Sequence, residues 1–164
     1  NSKKYFDSLT ESEKEQWHSR MGRSFFNKVS KMKKDKIRKS KLENKIEKCL
    51  LDTSIDFQTQ LLLFTNIQNK CYYYDFYIES LNLIIEIHGD YWHANPMRYN
   101  ESDTIRGVLV KNIWEKDSKK LKFAEDSGYK IICIWENEIK NLKTPLLQEY
   151  LKSKIAFYST DTFL

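Results

Sequence analysis

The sequence predicts an α/β (α+β) fold: a mixed β-sheet of about four strands flanked by helices, preceded by a basic helical N-terminal extension. Three observations point there. Apolar residues change from helical to alternating spacing after Asp52, return to helical spacing near Val110, and end in a strand, Tyr129 to Glu136, that is apolar on both faces. The 164 residues, 40% hydrophobic, 14% aromatic and 31% charged, can bury one core, which excludes a multidomain assembly. With only 4 Gly and 2 Pro, collagen-like and low-complexity architectures are excluded too.

Each element has a local cause. Thr10 and Glu13 form a capping box, Trp17 and Met21 recur one turn apart, and Gly22 stops a short first helix. The following stretch, KVSKMKKDKIRKSK, has too few large apolar residues for a core helix, so residues 1–39 are expected to form a basic extension or arm. A second capping box, Ser40 and Glu43, opens residues 40–164 with a helix whose Leu42, Ile46, Cys49 and Leu50 share a face. Aromatic and β-branched residues then mark strands at Phe57–Phe64, Tyr72–Ile78 and Asn82–His88. Asn95-Pro96 begins an irregular polar stretch to about Gly107. Ile113, Asp117, Leu121 and Ala124 line one face of a crossover helix that Gly128 ends. Thr144-Pro145 starts a closing helix carrying Leu147, Leu151 and Ile155.

The formal charge of +5 is concentrated in a patch. From Lys28 to Lys48 there are ten Lys/Arg and three acids, a local net of +7, so the rest of the chain is slightly acidic. Such a patch neutralises phosphates, with Lys33, Lys34, Lys36, Arg38 and Lys39 as its candidates; it also fits an ordinary solvated surface or a nuclear-type address. Cys49, Cys71 and Cys133 are an odd number at wide spacing, as expected of reduced thiols in an intracellular protein. The longest apolar runs are far shorter than the ~20 residues of a membrane span, and no apolar segment near Asn1 marks export. A start at Asn rather than Met is what a processed form or a piece of a longer chain would have.

The chemistry concentrates in YYYDFYIESLNLIIEIHGDYWHANP. A hairpin centred on Ser80-Leu81 places Asp75 directly opposite Glu86, with Cβ atoms about 4.5–5.5 Å apart. Two facing carboxylates in an apolar hairpin repel, and a positive group is required between them. Alternation puts His88 on the face of Glu86 and sends Ile85 and Ile87 to the other side. Asp90 and His93 follow within reach of the same strand end. Carboxylate ligands suit Mg²⁺, with Mn²⁺ as substitute, better than zinc.

This pattern, Asp75 followed by Glu86-Ile87-His88, resembles the PD-(D/E)XK nucleases, with His in place of the lysine. Together with HGDYWH and GYKIICIWE it is similar to the very-short-patch repair endonucleases and the phage homing endonucleases described by an EDxHD motif. The likeness covers roughly residues 40–139 and implies a restriction-endonuclease-like fold that cleaves double-stranded DNA. It implies that Asp75, Glu86 and the Ile87 carbonyl hold the metal, and that His88 acts as base or positions water. It further implies that Glu43 is the helical acid, Asp90 the last acid of the motif, His93 a contact to water around the phosphate, and Tyr91 and Trp92 a wedge between bases. Asp90 stands where the repair enzymes have a zinc-ligating Cys, so no structural zinc is expected. That favours the homing-type branch, in which a basic arm or a fused DNA-binding module supplies DNA binding; cutting both strands requires two active sites, hence a homodimer or two sequential nicks.

Plainer readings stand beside these. Glu43 completes a capping box; Asp75 is satisfied by a tyrosine hydroxyl; His88 is a core or surface histidine; Asp90 and His93 belong to a turn; Tyr91 and Trp92 are core aromatics. Asp117, on the otherwise apolar face of its helix, and Lys120, nearly a turn later, orient the site or touch the DNA backbone. Two alternatives to a DNA endonuclease remain at this level: a non-catalytic nucleic-acid-binding module on the same fold, and an RNase.

Overall fold

The computed structural model describes Thr10, residues 39–64 and residues 71–159. The helix expected around Trp17, and Lys33, Lys34, Lys36 and Arg38 of the basic patch, lie outside the described residues.

Helix α1, Lys41–Leu51, begins as its capping box dictates. The Glu43 N–H donates to Ser40 Oγ at 3.1 Å, and the Ser40 N–H donates to Glu43 Oε1 at 3.0 Å. It buries Ile46, Cys49 and Leu50. Strands β1 (Gln58–Phe64), β2 (Cys71–Ile78) and β3 (Leu83–His88) form an antiparallel meander. The turn between β2 and β3 is a 3₁₀ segment, Glu79–Leu81, closed by Asn82 at φ +50°, a left-handed position that Asn tolerates. Asn82 also donates its side-chain amide to the Gly128 carbonyl at 2.6 Å and accepts the Lys130 N–H at 2.9 Å. One residue thus closes the hairpin and anchors the start of the last strand.

Helix α2, Val110–Asp126, crosses over the sheet to β6, Lys130–Trp135, which runs parallel to β3. The strand order is β1-β2-β3-β6. A short helix α3, Glu136–Ile139, and the closing helix α4, Thr144–Ala156 with Pro145 in its first turn, complete the chain. The architecture is the expected one, a four-stranded mixed sheet with helices on its faces. On one face Phe76, Ile78, Leu83, Ile85, Ile87, Ile132 and Ile134 pack with buried residues of α1 and α4. On the other, Tyr74, Ile84 and Leu63 pack with Ala124 of α2. Among the described residues, no helix is long and apolar enough to cross a membrane.

The stretch expected to be irregular contains a second small sheet. Strands β4 (Thr104–Ile105) and β5 (Val108–Leu109) pair antiparallel across Arg106-Gly107. Ile105 packs with Ala94 and Val110, and Trp114 Nε1 donates to the Ala94 carbonyl at 2.7 Å, which seats the hairpin on α2.

All six residues of β3 are buried, Glu86 and His88 included. Burial of the four apolar ones, about 1.5–3 kcal/mol each, exceeds the cost of sequestering two polar side chains only if those side chains find partners. How they find them defines the site.

A candidate active site at the end of the central strands

The pairs Phe76–Ile85, Tyr77–Ile84 and Ile78–Leu83 give the β2–β3 register that brings Asp75 against Glu86. At that point carboxylates replace the ladder. The Asp75 N–H donates to Glu86 Oε1 at 3.1 Å, and the Ile87 N–H donates to Asp75 Oδ2 at 2.8 Å. The facing-acid arrangement is therefore built into the backbone hydrogen bonding.

Strand β2 changes face here. Phe76 and Ile78 join the α1–α4 core, and strict alternation would send Tyr74 with them, yet Tyr74 lies in the α2 core and donates its hydroxyl to the Lys120 carbonyl at 2.8 Å. Across from Asp75, Gln60 of β1 has φ +58°, and the β1–β2 pairing skips from Thr59–Phe76 to Leu61–Tyr74. Asp75 sits at this break in the pairing, across which the register is unchanged.

A positive group reaches one of the two acids, Glu86, from α2; a lysine filling the gap between both acids is the arrangement that would argue against cleavage. Lys120 Nζ donates to Glu86 Oε2 at 2.5 Å and lies 4.9 Å above the Tyr74 ring. Lys120, expected to orient the site or to touch the DNA backbone, is turned inward onto Glu86. Burial pushes the Glu86 carboxyl up to about 7, with Asp75 adding to the rise and Lys120 opposing it. Burial likewise raises Asp75 to about 6, against the Ile87 N–H, which lowers it. Two acids held near neutrality favour a cation that would let both ionise.

Beyond them lies a histidine cluster. His88, at the C-terminal end of β3, stacks on His93 with ring centroids 4.1 Å apart and 4° between planes, and meets Trp135 edge-on at 5.0 Å. Burial and the neighbouring His93 lower the His88 pKa to about 4, so His88 is neutral at pH 7. His93 Nδ1 lies 2.7 Å from Asp117 Oδ2. A carboxylate only accepts, so Nδ1 carries the hydrogen, and in the neutral form of the ring Nε2 is the accepting atom. His88, His93, Asp117, Trp114 and Trp135 line a cavity of about 410 Å³ at the joined ends of β3 and β6, where open α/β sheets place ligands.

Other expected site residues go elsewhere. Asp90 is buried, and its Oδ1 accepts from Asn95 Nδ2 at 2.7 Å and from the Asn137 N–H at 3.2 Å, while its own N–H donates to Glu136 Oε2 at 3.0 Å. It clamps the turn after β3 to the start of α3, and among the described residues its Oδ2 has no hydrogen-bond partner, with Arg98 Nε 3.6 Å and Lys140 Nζ 3.9 Å away. Glu43 serves its capping box, accepts Gln60 Nε2 at 3.3 Å, and stands close enough to Asp75 to help raise its pKa. Lys39 pairs with Glu47 at 2.6 Å. Tyr91 and Trp92 are exposed, which rules out the core-aromatic reading, and Trp92 packs close to Gly89: a Cβ there would lie 3.3 Å from Trp92 Cδ1.

Among the described residues, no group of three or more His, Cys, Asp or Glu gathers as a metal cluster. Mg²⁺ asks for less, one or two carboxylates with water and substrate phosphate completing an octahedron. Asp75 Oδ1 accepts no hydrogen bond among the described residues, while Glu86 Oε1 accepts the Asp75 N–H and Oε2 already faces a cation, so the pair is an oxygen donor set of the kind Mg²⁺ takes.

No family model matches the chain, and no curated protein matches it.

Proposed function

We propose that the protein is a Mg²⁺-dependent endonuclease that hydrolyses phosphodiester bonds in double-stranded DNA, on a restriction-endonuclease-like scaffold of the PD-(D/E)XK type close to the EDxHD branch. The observation that carries this reading is the meeting of Asp75, on β2, with Glu86, on the strand that ends in His88.

Asp75 and Glu86 would hold the cation with help from the Ile87 carbonyl. Bound there, Mg²⁺ supplies a Lewis acid for the phosphate and lowers the pKa of attacking water. The rest falls to the chain's own groups. His93, with Nδ1–H held by Asp117, presents Nε2 to take a proton from water or to return one to the leaving oxygen. His88, neutral and stacked on His93, fixes the plane of that ring and positions water without adding positive charge. Lys120 brings a positive charge to the carboxylates and, with it, toward a bound phosphate.

A second reading has an observation of its own. The Lys120–Glu86 pair already balances one acid, as it would in a binding module that needs no divalent ion. Supercoiled plasmid incubated with Mg²⁺ or with EDTA separates the two. Nicking or linearisation by the wild type with Mg²⁺, lost in EDTA and in Asp75→Ala, supports the nuclease. Plasmid bound but left intact across Mg²⁺ and Mn²⁺ supports the binding module.

A further inference from the structure

We propose that the Thr104–Leu109 hairpin is an arm that delivers Arg106 to duplex DNA. This rests on the reading above only in its choice of DNA as the partner. Arg106 and Gly107 form a two-residue turn with φ +53° and +77°. Both central residues of such a turn need positive φ, which makes Asn-Gly the favoured pair and an arginine at the first position a strained choice. The tip reaches into open space: a Cβ on Gly107 would meet nothing within 4 Å. The turn geometry itself therefore gains nothing from arginine at this place.

The guanidinium is nevertheless held. It lies 4.7 Å from the centroid of the Trp92 ring, and Trp92 is itself 60% exposed. Around this pair Tyr91, Val108 and Leu109 are exposed, and among the described residues no carboxylate pairs with Arg106. A cation stacked on an indole, beside exposed apolar groups and without an ion pair among the described residues, complements a polyanion whose groove accepts arginine and whose sugars accept apolar contact. The arm also stands beside the site, because Trp92 packs close to Gly89, the residue after His88. DNA gripped by Arg106 would lie next to the histidine cluster.

The test uses the full chain, a fluorescein-labelled DNA duplex, EDTA to prevent cleavage, and anisotropy over a range of salt. Arg106→Asn places Asn-Gly in the turn, so the melting temperature should hold or rise. The arm predicts that duplex affinity nevertheless falls about fivefold to tenfold, that the slope of log affinity against log salt drops by about one, and that Arg106→Lys recovers part of the loss. Cleavage by Arg106→Asn should show a raised KM with kcat retained. Equal affinity and equal slope for wild type and variant overturn the arm, and so does an Arg106-dependent preference for single strands or duplex RNA. If the wild type cuts plasmid while the variant binds and cuts identically, the arm alone falls. If the wild type neither binds nor cuts duplex DNA, the nuclease reading falls with it.

Discussion

Glu86 accepts the backbone N–H of Asp75, while Asp75 accepts the backbone N–H of Ile87, next in chain to Glu86. Each acid thus supplies a hydrogen bond that the opposing strand would otherwise draw from a carbonyl. The carboxylates are held by the sheet itself, and this explains why two like charges persist in an apolar hairpin. The predictions below follow from that arrangement.

Asp75→Asn keeps an oxygen for the Ile87 N–H and removes one of two opposed charges. The variant should be at least as stable as the wild type at pH 8, with a gain of about 1–2 kcal/mol where the carboxyl would be ionised. Its Mg²⁺-dependent cleavage should fall by at least about a hundredfold. Thermal melting and plasmid nicking check the two halves, and a loss of both together would mark Asp75 as structural.

Lys120→Met removes the cation facing Glu86, which is only 2% exposed. Breaking a buried pair from one side costs about 3–5 kcal/mol, and this cost should be visible as a lower melting temperature in EDTA at pH 8. Added Mg²⁺ should restore much of the loss, because the same carboxylates can take a divalent ion. Melting curves that ignore Mg²⁺ would favour the ion pair as the site's whole purpose.

The pH dependence has two opposing parts. Asp75 and Glu86, raised in the folded state to about 6 and about 7, bind more protons folded than unfolded, so their contribution to stability falls as pH rises from about 4 to 7. His88, lowered to about 4, binds fewer protons folded, so its contribution rises with pH between about 4 and 6.5. Replacing His88 with Gln should expose the acid contribution, seen as a melting temperature that declines from pH 5 to about 7 and then levels off. Mg²⁺ should bind with release of protons near pH 6.5, measurable by calorimetry in buffers of different ionisation enthalpy.

Asp117→Asn tests the orientation of His93. The amide can donate to Nδ1 and so favours the wrong tautomer. Cleavage should fall about 10–100-fold, the range found when the partner that orients a histidine is lost, while duplex affinity in EDTA stays unchanged. A matching loss of DNA binding would place Asp117 in the interface.

Much of this was legible in the sequence, and the boundary of legibility has physical causes. The β2–β3 register follows from a turn ending in Asn82 and from β-branched residues on both sides, so the opposition of Asp75 and Glu86 could be read directly. Helix α1 declared itself by Ser40 and Glu43. The change of face at Asp75 could not be read, because it arises from side-chain carboxylates displacing ladder bonds and from Gln60 across the strand. The inward turn of Lys120 and the contact of Asp117 with His93 depend on how α2 lies on the sheet, which spacing along one helix does not give. Asp90 looked like another acid of the site, yet its partners are 5 and 47 residues away in Asn95 and Asn137. The hairpin at Arg106 escaped because two-residue strands carry no period and Arg-Gly is a poor turn signal.

The central claim is that Asp75 and Glu86 share a divalent ion, and Mn²⁺ binding followed by electron paramagnetic resonance in the presence of duplex DNA addresses it. The account predicts Mn²⁺ bound by the wild type, displaced by excess Mg²⁺, and lost in both Asp75→Asn and Glu86→Gln. Mn²⁺ that binds the two variants as it binds the wild type, or that leaves the wild type unbound at any pH from 6 to 8, would contradict it.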